Sequence, residues 1–292
     1  KAALTYDQQA DLLIGRGLIA DRGLLIARLQ AVNYYRLSGY LYPFRNPDDT
    51  YKPSTTLEEI WRRYTFDRRL RLLVLDGIER VEVAVRSQLA YHMVHAAGPF
   101  GYTIPANLPK LDGNQFGKFL SRIYEETQWS REDFVRHFQN KYGNQHGYLP
   151  LWMATEIMPF GMFLTLFNGA ESSIKKTVAA PYGIADTVLQ SWLGTLNVIR
   201  NICAHHGRLW NRELGFRPKI PYQRKHPDWH TPVSVPDNRV FAILTILHYM
   251  LKVVAPKSAW PDRLRQLLVE YPDIPRPSMG FPNNWEDCPI WK

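Results

Sequence analysis

Cysteine is scarce in this chain: Cys203 and Cys288 are the only two in 292 residues. That is too few for a disulfide framework or a four-cysteine zinc site, and it fits a reducing, cytoplasmic setting. Long apolar runs are missing as well. The longest, Val240 to Ala255, is interrupted by Thr245, His248, Tyr249 and Lys252. It falls short of the roughly 20 residues a membrane-spanning helix needs, so no membrane partner is expected. Lys1 to Asp11 shows no succession of basic, apolar and cleavage-site residues, and export is not expected either. There is no glycine-rich phosphate loop, no serine-hydrolase elbow and no internal repeat. Alternation of apolar and polar residues never lasts beyond a few positions, which argues against a sheet.

What is present is helical periodicity, in a chain whose 45% hydrophobic and 22% charged residues are globular averages. The predicted fold class is all-α. Asp7 and Asp21 read as caps of two short helices before the aromatic segment Asn33 to Tyr40. Thr56, with Glu59 three positions on, has the form of a capping box. From Leu57 to about Ala96 no proline occurs, and Leu70, Leu73, Val74, Gly77, Ile78, Val81, Val85 and Leu89 recur at helical intervals. Leu72, Leu75 and Val83 on the other side predict a central helix covered nearly all round.

Gly98 to Gly113 reads as a loop, Asn114 and Ser130 (with Asp133) as starts of two helices, and Pro159-Phe160-Gly161 and Pro181-Tyr182-Gly183 as breaks. Asp186 is expected to cap a helix that keeps Val188, Leu189, Trp192, Leu196, Ile199 and Cys203 on one face. Asp237 is expected to cap the apolar helix ending at Ala255. The expected organisation is an N-terminal helical extension (1–55), a helical domain (56–256) and an irregular Pro/Trp-rich tail packed on it (257–292).

The formal net charge of +9 favours polyanionic partners, with RNA a candidate. Between Arg200 and His230 seven Lys/Arg face two Asp/Glu, a net +5. Interleaved Trp210, Phe216, Tyr222 and Trp229 are able to stack on unpaired bases, or else to anchor an irregular loop while the charges face water. The run Arg62, Arg63, Arg68, Arg69 and Arg71 reads as a solvated face. Glu82 with Arg86 reads as a structural ion pair, Arg86 also being a supporting residue of a nearby site, and Tyr34, Tyr35 and Tyr40 read as packing anchors.

The most informative local sequence is Arg200-Asn201-Ile202-Cys203-Ala204-His205-His206. Cleavage of RNA by its own 2′-hydroxyl needs a proton acceptor, a proton donor for the leaving 5′ oxygen, and positive charge at the phosphorane. Imidazole and guanidinium supply these, and the route requires neither metal nor cofactor. On an ideal helix residues 200 and 205 lie about 140° and roughly 7.5 Å apart. One chain thus offers a half-site, and two copies around a two-fold axis offer a whole one, so a homodimer is expected. Asn201 stands one turn before His205, where its amide can orient the ring. His206 reads as an RNA contact, a proton relay or a surface histidine. The alternative for Arg200 and His205 is a favourable interaction with the helix C-terminus. A metal site from Cys203, His205 and His206 would demand unwinding of the helix.

With Asn33–Tyr40 (NYYRLSGY), Tyr64–Arg71 (YTFDRRLR), Ile78–Arg86 (IERVEVAVR), Pro159–Gly161 and Arg200–Leu214 (RNICAHHGRLWNREL), the sequence strongly resembles the Abi family of bacterial abortive-infection proteins, the AbiD/AbiF-like group of the HEPN superfamily of helical ribonucleases. Such nucleases carry an Arg, a polar residue, three more residues and a His, a pattern that falls here on Arg200, Asn201 and His205. The resemblance implies a HEPN-like helical bundle, a composite site at a dimer interface, metal-independent endoribonuclease activity, and phage defence through toxicity to the infected cell. It further implies that some relatives are restrained by a small partner RNA. Catalytic roles then belong to Arg200, Asn201 and His205, with His206, Arg208, Arg212, Arg86 and Trp210 accessory or RNA-binding. Two rival readings are a non-catalytic RNA-binding or dimerisation module and a scaffold without nucleic acid.

Overall fold

The computed structural model describes residues 3–292; the first two residues of the expected extension lie outside the described residues. The helices are α1 (Tyr6–Gly15), α2 (Arg22–Val32), α3 (Tyr34–Leu41), α4 (Leu57–Ala97), α5 (Gly113–Trp129), α6 (Asp133–Tyr142), α7 (Leu151–Ile157), α8 (Phe160–Gly169), α9 (Ser172–Ala179), α10 (Asp186–Ala204), α11 (Val240–Val254) and α12 (Trp260–Glu270). Among the described residues there is no strand, only isolated bridges between Ile19 and Thr56 and between Arg45 and Tyr51. The protein is all-α. No helix among the described residues is long and apolar enough to cross a membrane.

Several caps differ from expectation by a residue or two. Thr5, not Asp7, caps α1: its hydroxyl accepts from the Gln8 amide while the Gln8 side chain accepts from the Thr5 amide. Asp7 occupies the first turn, where a carboxylate also suits the helix dipole. Asp112 and Gln115 form the same reciprocal box before α5, in place of Asn114. The Ser130 hydroxyl accepts from the Glu132 amide, and α6 begins after Glu132. Asp186 lies inside the first turn of α10, and α11 starts three residues past Asp237. Asp21 caps as predicted, by accepting from the Leu24 amide; Thr56 accepts from the Glu59 amide, but the Glu59 carboxylate accepts from Arg63, and the return half of the box is not seen among the described residues.

The 41 residues of α4 span about 60 Å at 1.5 Å per residue, and α3, α7, α8, α9, α10, α11 and α12 all pack along this rod. All eight residues of the predicted apolar stripe are buried. The opposite side is not covered: Leu72 and Val83 stand in solvent, so α4 has one open face. The helix enclosed nearly all round is α11, in which every residue from Val240 to His248 is buried. It meets α4 at Gly77, where a side chain would press on Leu247 and on Trp260 of α12, whose indole nitrogen donates to the Leu73 carbonyl at 2.8 Å.

The C-terminal segment is more ordered than an irregular tail. Pro261 falls in the first turn of α12, where its missing N–H leaves no hydrogen bond unmade. Short 3-10 turns then bury Trp285 and Trp291 against Phe241 of α11.

Candidate active site

Helix α10 turns Val188, Leu189, Trp192, Leu196, Ile199 and Cys203 to the core, as its periodicity predicts, and leaves Arg200, Asn201, Ala204 and His205 in solvent. His205 closes the helix, its amide donating to the Asn201 carbonyl at 2.9 Å. The next two amides fold back, His206 to the Cys203 carbonyl at 3.0 Å and Gly207 to the Ile202 carbonyl at 2.7 Å. This is a Schellman ending, and His206 holds its left-handed position with φ +59°. Glycine usually fills that place, because an L side chain there costs about 1–2 kcal/mol.

The strain is held by contacts on both flanks. Arg36 of α3 donates to the His206 carbonyl at 2.5 Å, and Arg208 donates in return to the Gly39 carbonyl of α3. Just beyond, the backbone amides of Leu209 and Trp210 donate to the carboxylate of Asp67 on α4, at 3.1 and 2.8 Å. Asp67 is completely buried, and it also accepts from the Tyr40 hydroxyl at 2.7 Å and from Arg71 at 2.5 Å. Burial pushes its carboxyl above the usual range, against the pull of Arg71 and of these hydrogen bonds. The chain leaving α10 is thus clamped by α3 and α4 together.

Arg200 donates to the Asn201 side-chain oxygen at 3.3 Å. The Asn201 amide therefore engages the guanidinium, and no hydrogen bond joins it to the His205 ring among the described residues. Glu82 of α4 lies in the field of Arg200 and is paired with Arg86; burial raises its carboxyl while the two guanidinium groups pull it down. Arg86 also donates to the Thr155 carbonyl, which ties α4 to α7. Its side chain is mostly buried and does not face solvent.

Of the remaining predicted residues, His206 and Arg208 lie in the clamped turn, and Arg212 is exposed with its Nε donating to the Arg208 carbonyl at 2.9 Å. Trp210 is a correction: it is 1% exposed, its ring lies 5.5 Å from the Arg63 guanidinium, and it has no face to offer a base. Trp229 is likewise buried, against Trp192 and Tyr249. Phe216 and Tyr222 are exposed.

The arginine run on α4 is not a solvated face either. Arg63 and Arg71 are buried, and Arg62 and Arg69 pair with Asp273 and Glu270; Arg68 alone of the five is exposed as expected. Tyr40 is a packing anchor as expected, but Tyr35 stands in solvent. Cys203 faces the core, where burial pushes its thiol up to about 12. Among the described residues no group of three or more His, Cys, Asp and Glu is placed to hold a metal ion. The residues missed are Arg36 and Asp67; the trace of the latter was a single acid inside a run of arginines.

The segments that carry the resemblance converge here. Asn33–Tyr40 supplies Arg36, Gly39 and Tyr40, Tyr64–Arg71 supplies Asp67 and Arg71, Ile78–Arg86 supplies Glu82 and Arg86, and Gly161 faces Asn197, one turn before Arg200. No match to a curated protein or to a solved structure was found. The model of a family described as Abi-like protein matches residues 27–211, from α2 to just past the residues held by Asp67, and the chain belongs to that family.

Proposed function

We propose that this Abi-like protein is a cytoplasmic endoribonuclease of a bacterial antiphage abortive-infection system, acting as a homodimer of the HEPN type and without a metal. The observation that carries this reading is the joint exposure of Arg200, Asn201 and His205 at a helix end held rigid by Asp67, Arg36 and Arg208.

In the reaction, imidazole takes the proton of the attacking 2′-hydroxyl as the oxygen bonds to phosphorus, and the 5′ oxygen leaves with a proton from a second imidazole. Arg200, steadied by Asn201 and Glu82, offsets the charge gained by the equatorial oxygens. The products are a 2′,3′-cyclic phosphate and a 5′-hydroxyl. The second imidazole comes from a second copy. Uncovered apolar side chains on the elements around Arg200, Val83 and Tyr91 on α4, Trp152 on α7 and Val198 on α10, favour such pairing.

The test is incubation with single-stranded RNA in EDTA. His205→Ala and Arg200→Ala are expected to lower cleavage by about 100-fold or more each. Cleavage that persists in His205→Ala, or that requires added metal, refutes the proposal. Loss of affinity in both variants without scission in any condition establishes an RNA-binding protein instead.

A further inference from the structure

Next to the clamped turn, α3 and the chain that follows it border a cavity of about 350 Å³. Its volume lies within the range of small-molecule sites. Of the four tyrosines on its border, Tyr34 and Tyr51 are wholly or partly buried, whereas Tyr35 and Tyr42 are 85% and 68% exposed. Rings so placed bury little apolar surface, so core packing does not account for them. Between them in sequence stand Ser38, with a small side chain, and Gly39, with none, which leave a notch in the helix.

Three arginines surround the notch: Arg16, Arg45 and Arg208. The acid that meets them, Asp49, pairs with both Arg16 and Arg45 and leaves the group net positive. Arg208 links the cavity to the motif, because it holds the Gly39 carbonyl and lies two residues beyond His206.

We infer that this cleft is a nucleobase subsite for the same single-stranded RNA: an unpaired base stacks on Tyr35 and Tyr42 over the Ser38–Gly39 notch, with its phosphates toward Arg16 and Arg45. The inference rests on the ribonuclease reading above and extends it to substrate selection. Stacking on tyrosine is open to any base whose face is free and closed to a paired one, so the cleft selects single strands. A chain held there and running past Arg208 reaches the exposed Arg200–His205 surface.

The test is steady-state cleavage of a labelled single-stranded oligoribonucleotide by the full chain. Tyr35→Ala and Tyr42→Ala are each expected to raise KM about tenfold with kcat within about twofold of native, and Tyr35→Trp to restore KM. Both rings are exposed, so melting temperatures stay at the native value. In an oligonucleotide carrying one abasic residue moved along its length, one position raises the native KM about tenfold and leaves that of Tyr35→Ala unchanged. Native cleavage with unchanged KM in both alanine variants, or with no such abasic position, overturns the subsite and leaves the ribonuclease reading standing. A native chain that neither binds nor cuts single-stranded RNA overturns both.

Discussion

Replacing Asp67 by alanine tests whether the clamp holds the protein together. The carboxylate is fully buried and has four partners: the Tyr40 hydroxyl, the Arg71 guanidinium and the amides of Leu209 and Trp210. Removing one member of a buried ion pair costs about 3–5 kcal/mol, because the other charge is left uncompensated. Each orphaned neutral donor adds about 1–3 kcal/mol unless water reaches it. The combined loss is at least about 5 kcal/mol, as large as the whole net stability of a marginal domain. Asp67→Asn keeps the shape and one acceptor oxygen, and is expected to cost about 3 kcal/mol. Urea unfolding followed by circular dichroism reads these losses as a lower midpoint at unchanged slope. Asp67→Leu with Arg71→Met removes both charges, and is expected to be more stable than Asp67→Leu alone. A cost below about 1 kcal/mol for Asp67→Ala, or a double variant no better than the single, refutes the reasoning.

His206→Gly relieves the left-handed backbone at the end of α10 and is expected to stabilise the protein by about 0.5–1 kcal/mol, visible as a higher melting temperature; a lower one shows that the side chain itself is needed there. His248 of α11 is stacked on Trp291 at 4.6 Å. Burial, with Lys252 and Arg265 nearby, lowers its pKa to about 4. The unfolded chain therefore binds the proton first, so stability is complete above about pH 6.5 and falls by up to about 3 kcal/mol as pH drops toward 4. Denaturation midpoints measured from pH 7 to 4.5 show this slope in the native chain and a flatter one in His248→Phe.

The α-helical class and the apolar stripe of α4 were legible because they rest on periodicity, which one sequence displays in full. Caps were legible only to within a residue or two: Asp7 and Asp186 sit in first turns, where a carboxylate is favoured for the same electrostatic reason as at the cap. The arginine run misled because exposure of charge is only the usual case. Arg63 and Arg71 are buried by partners on and beyond their own helix, including Tyr40, 31 positions from Arg71. Trp210 misled for a similar reason. Its place among basic residues suggested a stacking surface, whereas the Asp67 bonds to residues 209 and 210 pull that stretch into the core. Arg36 had no local signature, since its partner lies 170 positions away.

The clamp also bears on how the chain is divided. Residues 1–55 read as an appendage to a helical domain, yet Arg36, Gly39 and Tyr40 all bond to residues of that domain or of the turn it presents. A helix end carrying an Arg and a His frays readily when nothing follows it in fixed register. Here the register comes from α3 on one side and from Asp67 on the other, and the cost of the left-handed His206 is carried between them. The family match begins in α2 and ends at residue 211, one past the last amide that Asp67 holds. The span shared with the family is therefore the span that holds the end of α10 that carries Arg200 and His205, and α11 and α12 outside it pack on the middle of α4 at Gly77.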